Sequence, residues 1–566
     1  MTAPADSPTP FRVLYREFLF GIVDLEILSA RADVQKLLGQ FAALLAAMSL
    51  MFCNGALRVL RSTSPAAQKL TTAWVDEHFL IATTMAVVGL FAVLSWDAVL
   101  PLPRDVFVLT PLPVRRRTVF LAKLASMATA LAMTVLALHV FTGLSYPLAI
   151  GKSFGVLGFV QAFLAFWVTM LAAGAFVFGA ILALQGLAAQ FLSRQLFLRL
   201  SGVLQLTTFC VILAAYCLRP SLITPASIAD PANHAFVSWF PSYWFLGLFN
   251  QLNGSSQPLL EPLAERAWVA LGLTLAAVAT VFLLSYLRTM RRIVEEPDVR
   301  PGTGRFARLP AVGDHLLTAV SHFSTRTLLR SRQHRLVLAC YLGIGAAIAL
   351  TFSRSVLYGP QGLADYAWHE VNRPLLIATV VLLSFAVVGM RVAFTLPASL
   401  RANWVFRTVA ARPARDYLEV NRRFLFLAAV LPASAVAAAI LAPLWPAWPV
   451  LGHLLLLLML GSALTDLALF RFKKIPFTCS YLPGKAQMHL TAAALILILM
   501  GMTDVGVKIE MEALADPVEY AKAFAALAIA AVLLRLRTGR ETALESSLIF
   551  EQEPPSDLLA LDIRSD

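Results

Sequence analysis

The sequence predicts an all-α polytopic membrane protein of about 12 transmembrane helices, in two parallel six-helix repeats that are each preceded by an interfacial amphipathic helix. Three observations lead there. Hydrophobic residues make up 59% of the chain and charged residues only 14%, about half the charge of an ordinary soluble domain. Apolar stretches of roughly 18 to 30 residues recur throughout, long enough to cross a hydrocarbon core of about 30 Å. A pattern of Leu-Pro, then Pro-x-Arg, then a basic residue opening the next stretch occurs twice, about 300 residues apart.

The elements follow in order. Residues 1–36 place Phe11, Leu14, Phe18, Ile22, Leu25 and Leu28 at helical intervals, with Arg12, Arg16, Asp24 and Arg31 elsewhere. That spacing predicts an amphipathic helix lying in the membrane interface. The segment lacks the isolated apolar core and cleavage site of a signal peptide. Twelve apolar spans are expected at approximately 37–58, 78–100, 122–148, 155–188, 201–218, 266–287, 336–355, 374–396, 424–444, 449–470, 487–503 and 519–535. Between the fifth and sixth, Trp239-Phe240-Pro241-Ser242-Tyr243-Trp244-Phe245-Leu246 is too short to cross and too aromatic for a solvated loop. It predicts a re-entrant or interfacial element, with an ordinary aromatic belt as the alternative. Trp445-Pro446-Ala447-Trp448-Pro449 reads as an interfacial hairpin.

The halves, 1–295 and 296–540, meet in the longest charged loop, about 288–335. It carries ten Arg residues and the turn-prone Pro301-Gly302-Thr303-Gly304. A helix-like stretch with Leu316, Val320 and Phe323 then leads into the seventh span, as the N-terminal helix leads into the first. Six spans per half is an even number, so the repeats are parallel; inverted repeats need an odd number. Residues 541–566, with seven carboxylates, one Arg and Pro554-Pro555, form an acidic tail. It is expected to be solvated and partly disordered, with docking on a basic partner as the alternative.

Charge sets the orientation. Most of the 46 Lys and Arg residues border loops that lie on one side of the membrane if the N-terminus is inside. Basic loops stay cytoplasmic, so both termini are expected there. The group around Arg58, Arg61 and Lys69 is a local exception. The formal net charge of +13 therefore reports topology, and no nucleic-acid partner is expected. Cys53, Cys210, Cys217, Cys340 and Cys479 have no metal-ligand spacing and read as core residues.

Chemistry is sparse. Gly151-Lys152-Ser153 has the ending of a phosphate-binding loop, but position 146 is Tyr where the first glycine belongs. Asp76-Glu77-His78 falls in an outer loop just before the second span. Such a pair resembles the acids of integral-membrane glycosyltransferases that use polyprenyl-phosphate sugars, against the plainer reading of a solvated loop. Charges inside spans are few: Asp97, Arg391 and Asp466, with His139 and His453 as polar additions. Asp97 and Arg391 each stand six residues before a Leu-Pro proline, which makes them candidates for an ion pair between the halves; both also lie near water, where long side chains snorkel. Asp466 reads as interfacial, and the histidines as satisfied core residues.

The repeated loops remain. The first has Leu102-Pro103-Arg104, Pro113-Val114-Arg115-Arg116-Arg117 and Lys123; the second has Leu396-Pro397, Arg401, Pro413-Ala414-Arg415 and Arg423. Leu-Pro breaks the helix leaving one span, and the basic run suits lipid phosphates or acidic protein groups. Repetition of the prolines as well as the charges favours a shaped docking element over simple anchoring.

These loops, the interfacial helix, the six spans per half and the aromatic outer segment resemble the type-2 ABC exporter permeases. The run from Leu102-Pro103-Arg104 through Pro113 to Lys123 is similar to the loop that carries their coupling helix. Lys473-Lys474-Ile475-Pro476-Phe477-Thr478 and Tyr481-Leu482-Pro483-Gly484-Lys485 are similar to stretches in large bacterial permease chains. The resemblance implies a permease of the bacterial inner membrane whose loops at 101–121 and 397–423 take up work from a separate ABC ATPase subunit in two copies. ATP would then be bound on that partner, with no catalytic residue, metal or cofactor in this chain. A membrane glycosyltransferase and a non-transporting scaffold stay open as alternatives, and no substrate is readable in the spans.

Overall fold

The computed structural model describes residues 9–23, 34–61, 66–99, 103–109, 111–151, 155–219, 230–254, 258–282, 284, 288, 314–357, 371–398, 403–409, 413–472, 474–478, 488–544, 548 and 550. All regular structure among them is helical. The chain divides into two compact units, Met1–Pro301 and Gly302–Asp566. Among the described residues, five helical stretches in each unit are long and apolar enough to cross a membrane. The chain is thus a multi-pass helical membrane protein. Those ten coincide with ten of the expected spans. The other two are not among the ten: the first carries a shorter apolar run, Phe41–Leu57, and the eleventh falls on the helix Met488–Ala515.

In the first unit the helices are α1 Pro10–Val23, α2 Val34–Arg61, α3 Ala66–Leu94, α4 Trp96–Val99, α5 Pro103–Leu109 and α6 Arg116–His139. They continue with α7 Thr142–Gly151, α8 Gly155–Phe191, α9 Arg194–Leu218, α10 His234–Trp239, α11 Pro241–Leu252 and α12 Glu261–Ala277. Helix α1 opens on Pro10, whose missing N–H costs nothing at a first helical position. Its apolar stripe buries Phe18 and Ile22, and Phe18 packs on Val119 and Ala122 of α6.

The expected span at 122–148 is two helices. His139 ends α6, and Ser49 of α2 accepts the backbone N–H groups of Phe141 (3.1 Å) and Thr142 (3.2 Å), a cap for α7 supplied from another helix. The aromatic outer segment becomes α10 and α11. Gly247 of α11 lets its backbone approach Leu260 and Ala264 of the α12 hairpin arm, where a Cβ would sit 2.7 Å from the Leu260 carbonyl oxygen and the Ala264 amide nitrogen.

Helix α3 is the most enclosed of the unit's candidate spans. Its carboxyl end is buried, where unsatisfied carbonyls are expensive. Gln205 donates to the Val93 carbonyl and Gln185 to that of Trp96, each at 2.7 Å, while the Trp96 indole N–H reaches Ser201 at 2.9 Å.

The second unit comprises α13 His315–Arg330, α14 Arg332–Leu357, α15 Arg373–Ala393, α16 Asn403–Val409, α17 Ala414–Leu425, α18 Leu431–Leu441, α19 Ala447–Ala468, α20 Met488–Ala515 and α21 Pro517–Leu544. Asp314 caps α13, and Asn372 caps α15 through the Leu375 amide at 3.2 Å. A π turn at Phe426–Val430 joins α17 to α18. Pro432 accounts for it, since proline lacks the N–H of a regular turn and crowds the preceding one.

Helix α15 is enclosed as α3 is, and glycine decides how closely α14 approaches it. A Cβ on Gly345 would sit 2.6 Å from Phe385 Cβ, and one on Gly389 would sit 2.6 Å from Tyr341 Cβ. Small residues at such reciprocal positions let membrane helices pack by shape where lipid removes the hydrophobic drive. Gly389→Leu should destabilise the second unit by about 1–3 kcal/mol through overpacking, read as a lowered Tm of the purified chain.

Candidate functional site

Each enclosed helix leads into one of the repeated loops. In the first unit α5 and the turn before α6 follow α3. Arg115 is the residue before α6, extended at φ −65° and ψ 131°, and the Thr118 amide donates back to its carbonyl at 2.9 Å. Arg115 and Arg117 are exposed. Pro103 and Arg104 lie in α5 and Arg116 in α6, but their side chains are outside the described residues. Leu109 and Val114 pack, as Leu14 and Tyr15 of α1 do, against the cluster of Phe18, Val119 and Ala122, so α1 braces the loop. The Lys123 ammonium lies 4.6 Å from the Phe18 ring centre, a cation–π contact in an enclosed place. Phe107, Val108 and Leu112 point outward, 63%, 56% and 48% exposed.

The second loop reaches the same architecture differently. After α15, Phe394 accepts the amide of Phe477 at 3.0 Å, and Ala398 donates its amide to the Phe477 carbonyl at 2.8 Å. These two bonds clamp the half-buried Pro397 against the segment after α19. Phe477 holds φ at +62°, a region strained for a residue with a Cβ. Its ring is buried among Phe323, His334 and Phe394, contacts that hold the strained backbone. His334 Nε2 donates to the Leu396 carbonyl at 2.8 Å, and Asn403 donates to that of Thr478 at 2.6 Å. Helix α13 braces this loop: Leu317 and Val320 pack with Tyr417, Val420 and Ile475, and Phe323 meets Phe406 edge-on at 5.1 Å. Pro413 and Arg415 are exposed at the start of α17; Arg401 lies outside the described residues.

Superposed by number, the loops share one register. Among the described residues α5 and α16 span seven residues each, and each runs to four residues before the Pro-x-Arg proline, Leu109 before Pro113 and Val409 before Pro413. The two Leu-Pro prolines therefore do different work. Pro103 begins α5, whereas Pro397 sits in the clamped segment six residues before the start of α16, which accounts for the greater length of the second copy.

Other expected sites move. Asp76-Glu77-His78 is part of α3 rather than an outer loop, and Glu77 and His78 are buried. His78 meets Ser242 at 2.9 Å and stacks on Tyr243, both from α11. The side chain of Asp97 is outside the described residues. Arg391 donates to the Ala468 carbonyl at 2.6 Å, with its guanidinium 4.4 Å from the Phe472 ring centre. Asp466 is enclosed and accepts from Arg422 at 2.7 Å. His139 bridges Thr84 (2.7 Å) and Thr142 (2.9 Å), as a satisfied core residue should. The acid that sequence reasoning passed over is Glu510. It lies beyond the expected eleventh span at 487–503, but α20 runs on to Ala515 and carries it into contact with His453. A continuing helical pattern past residue 503 is the signal that would have placed it. The acidic tail beyond 550, the Arg-rich 288–313 apart from residue 288, and Tyr481–Lys485 lie outside the described residues.

Breaking the clamp should free the second loop without unfolding the unit. Asn403→Ala should cost about 1–2 kcal/mol and raise amide hydrogen exchange at Ala398 and Phe477 while leaving α19 unchanged. Exchange monitored by mass spectrometry checks this. No protein-family model, no curated protein and no solved structure matches the chain.

Proposed function

We propose that this chain is the transmembrane permease subunit of an ATP-driven ABC exporter, and that α5 and α16 are the elements through which separate ATPase subunits act on it. In this reading the chain has twelve spans in two parallel halves, lies in a bacterial inner membrane with both termini in the cytoplasm, and engages two ATPase copies. The observation that carries it is the shared register of the two loops. Each places a seven-residue helix beside an exposed Arg, at positions 115 and 415, at the end of the most enclosed helix of its unit.

The physics suits force transfer. A docking helix must be exposed to its partner yet stiffly tied to the membrane helices it moves. Phe107 and Trp404, 63% and 65% exposed, supply apolar contact, and the arginines supply fork-shaped donors for acidic groups. Bracing by α1 in one unit, and by α13 with the Phe477 clamp in the other, supplies the stiffness. Nucleotide chemistry then belongs to the partner. The transferase alternative needs the acidic pair open to water; Glu77 is buried and Asp76 half-buried in α3, which favours the permease reading.

The test is co-purification with the ATPase of the same cell. Arg115→Glu and Arg415→Glu should each weaken the complex about tenfold, roughly 1.4 kcal/mol, and together abolish it. Both side chains are exposed, so the Tm of the chain alone should hold. An unchanged complex, or no ATPase partner at all, would defeat the proposal.

A further inference from the structure

Three helices of the second unit meet at a line of polar side chains. Thr379 Oγ1 of α15 lies 2.9 Å from His453 Nε2 of α19, and His453 Nδ1 lies 2.6 Å from Glu510 Oε1 of α20. Thr379 and His453 are buried; of the three side chains that of Glu510 retains the most exposure, 10%. The inner end closes on the helix itself, because the Thr379 hydroxyl also lies 2.9 Å from the Leu376 carbonyl.

Two proton arrangements satisfy this line without moving a heavy atom. With one fewer proton, the Thr379 hydroxyl donates to Nε2, and Nδ1–H donates to Oε1 of a carboxylate. With one proton more, both of those bonds stay, and the carboxyl carries the added proton as an O–H on Oε2. Loading takes the proton from a hydronium ion, breaking one of its O–H bonds to leave water and forming one O–H bond on Glu510, and changes the charge of the line from −1 to zero.

The first unit supplies the contrast. Thr84 and His139 repeat the hydroxyl–imidazole contact, with Thr84 bonded at 2.7 Å to its own helix's Leu80 carbonyl, but the next partner is Thr142. A hydroxyl in place of the carboxylate satisfies a neutral ring and holds no dissociable charge.

We infer that Thr379, His453 and Glu510 form a proton-binding site within the second unit, loaded from the face where Glu510 is exposed and closed at Thr379. The site takes a proton as its ligand and stores it; it does not conduct. The surrounding charges are accounted for. Arg373 of α15 pairs with Asp504 of α20, and Lys508 lies 3.8 Å from the same Asp504. From α21, Tyr520 donates to the Gly452 carbonyl at 3.0 Å, and Glu519 pairs with Lys522. On α17, Arg422 is engaged by Glu419 and Asp466. The site does not depend on the permease reading.

The experiment is an infrared pH titration of the purified full chain in lipid nanodiscs. Wild type should show a carboxylic C=O band that disappears as pH rises, together with a change in imidazole bands. Glu510→Gln preserves a hydrogen bond to Nδ1 without an ionisable proton, and should lose both signals. His453→Gln should shift the midpoint of the carboxyl band. The proposal is overturned if Glu510→Gln gives the wild-type difference spectrum, or if His453→Gln leaves the midpoint unmoved. Should either variant fail to fold, solid-state NMR of the wild type labelled with ¹⁵N in its histidine rings decides. A ring whose hydrogen-bonded Nδ1–H signal shifts with pH in step with the carboxyl band is expected; no such ring would overturn the proposal.

Discussion

The wrapping of one helix in each unit is the constraint on which the rest of the structure depends. In the apolar windows of α3 and α15, 78% and 89% of residues are buried, and no other candidate span among the described residues exceeds 56%. Lipid offers no hydrophobic reward for hiding leucine, so enclosure has to come from shape and from satisfied polar groups. Gly345 and Gly389 supply shape by letting α14 approach α15 closely. Gln185, Gln205, Thr84 and Thr379 supply the polar part, meeting carbonyls and imidazoles that would otherwise be stranded away from water.

Enclosure also explains why the loops that follow these helices are shaped as they are. A helix held on every side moves only as part of its unit, so whatever grips its end moves the bundle. The two units grip in unlike ways. The first lays its interfacial helix under the loop through Phe18, Leu109 and Val114. The second adds a backbone clamp whose strained residue, Phe477, is held by aromatic packing. The shared helix-to-proline register lies on top of these different supports.

The same divergence appears inside the bundles. A threonine on the enclosed helix meets a histidine in both units, yet the histidines come from different places: His139 at the end of α6 and His453 near the start of α19. Their second partners differ in kind, a hydroxyl in one and a carboxylate in the other. One unit thus closes this junction with a hydroxyl, and the other with a carboxylate.

Composition, apolar run length and helical spacing by themselves determined that the chain crosses a membrane many times. They also placed ten of its spans, the amphipathic helices before each half and the two marked loops. Those properties add up locally along the chain, so one sequence displays them. Only the tertiary structure decided that 122–148 breaks at His139, that Asp76-Glu77-His78 lies inside a helix bundle, that Pro103 and Pro397 are not counterparts, and that Glu510 meets His453. Each of these turns on a partner from elsewhere in the chain: Ser49 for the break, Ser242 and Tyr243 for the buried histidine, Phe477 for the proline, His453 for the acid. A hydrogen bond between residues 57 to 164 positions apart leaves no periodicity to read, because its energy depends on a distance that folding alone sets.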